Sequence, residues 1–107
     1  MAHTYSIVKS WVDLARPGIH CGYVNITMAD DYSSGYSIDA EDVNPNCSTL
    51  YRLDCLSGNV GSDNIVRHLL WDYTNQKWVA YMGDSGLVED DVDVLDDAVL
   101  YCYYEGA

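Results

Sequence analysis

Trp71, Tyr73, Trp78 and Tyr81 fall in one short stretch of the chain, beside Asp72, Asn75, Gln76 and Asp84. These residue types can bind a sugar. An aromatic ring covers the apolar C–H face of a pyranose, and carboxylates and amides reach its hydroxyls. Residues 65–73 and 77–82 flank Thr74-Asn75-Gln76 and read as a hairpin, which would bring the set together. On that reading the ligand-binding residues are Trp71, Tyr73, Asn75, Trp78 and Asp84. Side chains alternate between the two faces of a strand, so only part of the set can face solvent. The competing reading places both tryptophans in the core.

Two acidic clusters raise a second chemistry. Asp30, Gly35 and Glu41 match three anchor positions of an EF-hand loop, but Tyr32 and Ser34 stand where further oxygen ligands belong. Asp30 and Glu41 are therefore expected as calcium ligands by some other loop geometry, or as parts of a solvated turn. Glu89, Asp90, Asp91 and Asp93, followed by Asp96 and Asp97, pose the same alternative. No cofactor other than calcium is indicated. Nucleophilic catalysis finds little support. In Gly83-Asp84-Ser85-Gly86-Leu87, Leu87 occupies the place where a nucleophile elbow needs glycine. No local signature activates a cysteine through His20 or His68. The chain is expected to have no catalytic residues and not to be an enzyme.

The four cysteines, Cys21, Cys47, Cys55 and Cys102, include no C-x-x-C pair. An even count in a small domain favours two disulfides over a zinc site. The favoured pairing is Cys47 with Cys55 and Cys21 with Cys102; the alternative is four reduced thiols. Two glycosylation sequons, Asn25-Ile26-Thr27 and Asn46-Cys47-Ser48, add support for an extracellular location. The start of the chain lacks a basic segment followed by an apolar run. It is thus expected to be intracellular, or a mature secreted protein with a new initiating methionine.

Seventeen Asp and Glu against five Lys and Arg leave a net charge of −12, and only Glu41, Glu89 and Glu105 are glutamate. Such a charge repels nucleic acid and anionic membranes. No apolar run approaches the ~18 residues of a membrane span. Aspartate favours turns and caps over helix interiors. Ten Tyr and three Trp with no Phe is a set suited to half-wet recognition surfaces. A hydrophobic content of 49% excludes disorder.

These residues must be positioned by one domain, residues 1–107, because the chain is too short for two. Alternation at 21–28 and 48–56, the hairpin, and an apolar stretch at 98–104 predict five to seven short strands. The fold class is all-β, a small antiparallel sandwich or barrel. The alternative is α+β with a short N-terminal helix. Ile7, Val8, Trp11, Val12, Leu14 and Ala15 repeat near the helical period, whereas their types favour strand. The expected function is non-catalytic carbohydrate binding by a small lectin, with a glycan or glycoprotein as partner. The alternative is an acidic inhibitor or nucleic-acid mimic that binds a basic protein.

Overall fold

The computed structural model describes residues 3–29, 32–82, 88–89 and 94–107. The strands are β1 (Thr4–Val12), β2 (His20–Thr27), β3 (Tyr36–Ser37), β4 (Leu50–Ser57), β5 (His68–Asp72), β6 (Lys77–Met82), β7 (Val88–Glu89) and β8 (Val99–Gly106). One short helix, α1 (Ala40–Val43), separates β3 from β4. Strand accounts for 53% and helix for 4%, so the all-β expectation holds. Six longer strands are joined among the described residues by two two-residue strands, β3 and β7.

One antiparallel sheet has the order β1-β2-β8-β4; in the other, β6 lies between β3 and β5, and β7 also pairs with β6. The two sheets enclose one core, in which Val24, Ile26, Leu53, Trp78, Leu100 and Tyr104 are almost wholly buried. Alternation produces this directly. On β8, Leu100, Cys102, Tyr104 and Gly106 are buried, while Tyr101, Tyr103 and Glu105 between them are half-exposed. On β2, Gly22, Val24 and Ile26 face inward.

The N-terminal segment is a strand, and the helical alternative is overturned. The pairing with β2 slips by one residue between Ile7 and Lys9, where Val8 bulges. A bulge moves every later side chain to the opposite face. Tyr5 and Ile7 lie opposite Ile26 and Val24, and after the bulge Ser10 and Val12 lie opposite Gly22 and His20. The β-branched and aromatic composition was the truer signal.

The helix α1 is a single capped turn. Asp39 supplies the N-cap, its Oδ1 accepting from the Glu41 backbone N–H at 3.0 Å. Ala40 and Val43 turn into the core. Among the described residues no helix is long and apolar enough to cross a membrane.

Candidate functional site

The hairpin expected from sequence forms, with β5 and β6 in antiparallel register and Trp71 directly opposite Trp78. That register points both rings inward, which corrects their assignment as ligand plates. Trp78 has no exposed surface, and its Nε1 donates to the Leu53 carbonyl at 2.9 Å. Trp71 is half-buried, packs edge-on against Trp78 at 6.4 Å, and donates from Nε1 to the Leu50 carbonyl at 3.1 Å. Both indoles therefore tie the smaller sheet to β4. Gln76 reinforces the seam, accepting from Leu50 N at 2.8 Å and donating to Leu50 O at 2.9 Å.

Of the remaining expected ligand residues, Tyr73 is exposed and lies 5.8 Å from Tyr51. Asn75 donates its side-chain amide to Asp72 within the turn at 2.8 Å, and borders an open cleft of about 430 Å³. His3, Tyr5, Asp39, Asp42 and Gln76 share that cleft. Asp84 lies outside the described residues, as does Asp30 of the expected metal pair. Glu41 is exposed on α1. Among the described residues no group of three or more His, Cys, Asp or Glu gathers as a metal site.

The aromatic surface is elsewhere, on the outer face of the four-stranded sheet. The register places Trp11 beside Cys21, and Tyr23 beside Tyr103. Tyr23 lies 5.6 Å from both Tyr101 and Tyr103, and is parallel to Tyr101 within 6°. Trp11 lies 5.8 Å from Tyr23 and 6.3 Å from Tyr103. Trp11 is 38% exposed and the three tyrosines are half-buried. The four rings form a strip across β1, β2 and β8 outside the core. The Arg52 guanidinium lies 5.5 Å from the Tyr103 ring centre, and the Lys9 ammonium 5.8 Å from the Trp11 ring centre.

Paired charges border the strip. Arg16, on the β1–β2 connection, reaches Glu105 on β8 with both terminal nitrogens, at 3.2 and 3.0 Å, and its Nε bonds Asp13 at 2.8 Å. Arg52 pairs with Asp54 at 2.6 Å. The Tyr103 hydroxyl donates to Glu105 at 2.6 Å. Among the described residues the face thus holds Lys9, Arg16 and Arg52 against Asp13, Asp54 and Glu105. Those charges cancel on this face.

Hydrogen bonding from Arg16 is the main cause holding the Asp13 and Glu105 carboxyls below the ordinary carboxylate range. A depressed folded-state pKa contributes stability that is present above the unfolded value near 4. That stability is lost as pH falls through the folded value. Melting temperature should therefore fall on acidification from about pH 5 toward pH 2. Arg16→Met should flatten that limb by removing the donor from both carboxyls. Superimposable acid limbs for the two proteins would show that the network contributes nothing.

All four cysteines are thiols. The pairing expected from sequence is corrected by the register. Cys21 stands opposite Glu105 on the outer face, while Cys102 stands opposite Val24 on the inner face. They are offset by three residues and point apart. Cys47 sits near Gly106 at the end of β8, with Sγ 3.3 Å from where a Gly106 Cβ would lie. Cys55 lies four residues of β8 away, opposite Cys102. At roughly 3.4 Å per residue, neither expected bridge can close.

Sequence reasoning missed the outer strip. Its one local signal was the alternation of Tyr101, Tyr103 and Glu105 with Leu100, Cys102 and Tyr104 in the closing strand. No protein-family model matches the chain, and no curated protein and no solved structure matches it.

Proposed function

We propose that the protein is a non-catalytic, extracellular carbohydrate-binding protein, with its site on the outer face of the four-stranded sheet. The observation that carries this reading is the strip of Trp11, Tyr23, Tyr101 and Tyr103, placed outside the core and partly exposed. Rings left at the surface forgo part of their burial energy, which a ligand can supply. Their faces suit the C–H surfaces of successive sugar rings. The surrounding Lys9, Arg52, Asp54 and Glu105 supply donors and acceptors for hydroxyls. Local charge neutrality suits an uncharged glycan better than a cationic partner.

The test is a glycan array, run with and without calcium, followed by titration of a captured glycan against variants. Trp11→Ala and Tyr23→Ala should each weaken binding about tenfold or more, as for a central aromatic contact. Their circular-dichroism spectra should stay native. Full affinity in both variants would move the site off this face. Affinity that vanishes with chelator would bring the acidic loops, and calcium, into the site.

A second reading rests on the net charge of −12. An acidic inhibitor or nucleic-acid mimic would use its carboxylates to dock a basic protein groove. Its partner would bind regardless of Trp11 and would dissociate steeply with added salt.

A further inference from the structure

We propose that Cys55 and Cys102 form an oxidisable pair that closes into a cross-strand disulfide at the expense of a small-molecule disulfide, while Cys21 and Cys47 remain thiols. The two residues are directly opposite in the β4–β8 ladder, and both side chains are on the inner face. Opposed residues in an antiparallel pair have Cα atoms about 4.5 or 5.5 Å apart. Both values fall inside the range of about 4.4–6.8 Å that a disulfide spans. Each thiol donates to a carbonyl of its own strand, Cys55 to Ser57 at 3.4 Å and Cys102 to Leu100 at 3.5 Å. Cys55 is half-buried, so a reagent can reach it, whereas Cys102 is fully buried.

Their pairing divides their roles. Interaction with the Cys102 side chain is the main cause that lowers the Cys55 pKa; the same interaction and burial push Cys102 up. Cys55 is therefore the thiolate that attacks first. It displaces one thiolate from the small disulfide and becomes a mixed disulfide. Cys102 then loses its proton and attacks the Cys55 sulfur, expelling the second thiolate. Two protein thiols and one small disulfide become one protein disulfide and two small thiols. The other two cysteines have no such partner in each other. Cys21 lies on the outer face of the sheet, and Cys47 packs beneath it near Gly106.

The test is to incubate the folded protein with glutathione disulfide, alkylate it in denaturant, and digest it with trypsin. The arginines and lysines place Cys55 in the peptide 53–67 and Cys102 in 78–107. Cys21 and Cys47 share 10–52, because Pro17 blocks cleavage after Arg16. The expected result is a crosslink between 53–67 and 78–107, reversible by dithiothreitol, with 10–52 carrying two alkyl groups. Cys102→Ser should instead trap glutathione on Cys55. Cys55→Ser, at the half-buried site, should leave the remaining thiols alkylatable. Any crosslink that includes 10–52, or four alkylated thiols after oxidation, would overturn the proposal.

Discussion

Trp78→Ala should lose about 3–5 kcal/mol of folding stability, the range for deleting a large buried aromatic ring. The ring is fully buried between the sheets and packs against Trp71. Its Nε1 is the donor that satisfies the Leu53 carbonyl at 2.9 Å. Truncation therefore opens a cavity and also leaves a carbonyl of β4 without that donor, and the two costs act together. At this chain length each kcal/mol lowers the melting temperature by roughly 4–8 °C, so the variant should melt far below the parent. The folded fraction should still bind any glycan captured by the parent, because the outer strip lies on the other side of the sheet from this ring. A Trp78→Ala protein that melts like the parent but fails to bind would reverse both assignments. It would make the hairpin the site and the outer strip a bystander.

Gly22→Ala should be damaging for a change of a single methyl. Gly22 lies in β2 between Ser10 of β1 and Tyr104 of β8. A Cβ there would collide with the Lys9 backbone carbonyl and stand 2.8 Å from both Cε1 and the hydroxyl of Tyr104. Lys9 O belongs to the bulged part of β1 and cannot retreat without loosening the ladder. Tyr104 is held in turn, its hydroxyl accepting from Asn44 Nδ2 at 2.9 Å. Overpacking of this kind costs about 1–3 kcal/mol. The consequence reaches the proposed site, because β1 carries Trp11 and β2 carries Tyr23. Urea melts and glycan titration on the same samples should show both stability and affinity reduced. Unchanged stability would mean that β1 shifts freely, and that the Trp11–Tyr23 contact is not rigidly set.

The tryptophans show where inference from sequence stopped. Trp71, Tyr73, Asn75 and Trp78 are adjacent in the chain, and their hairpin was legible from two strand-like runs around a polar turn. Which face each ring took was not legible. Local alternation says only that Trp71 and Tyr73 agree with each other. Pairing Trp71 with Trp78 put both rings on one face, and packing that face on β4 made it the core. The strip of Trp11, Tyr23, Tyr101 and Tyr103 was hidden for the opposite reason. Its members are far apart in sequence, and the bulge at Val8 reverses the parity by which Trp11 would have been assigned.

The class of fold could be read from the amino-acid order alone. The period-two pattern, the β-branched and aromatic runs, and aspartate in the turns are local properties that each short segment carries alone. The amino-acid order likewise determined the net charge of −12 and the absence of a local nucleophile signature. Which aromatics are exposed, which cysteines are neighbours and where the charges cancel emerge only on folding. Those properties depend on the order β1-β2-β8-β4 and on its register. A shift of one residue in pairing exchanges the two faces of a strand, and no local pattern encodes the partner against which that shift is measured.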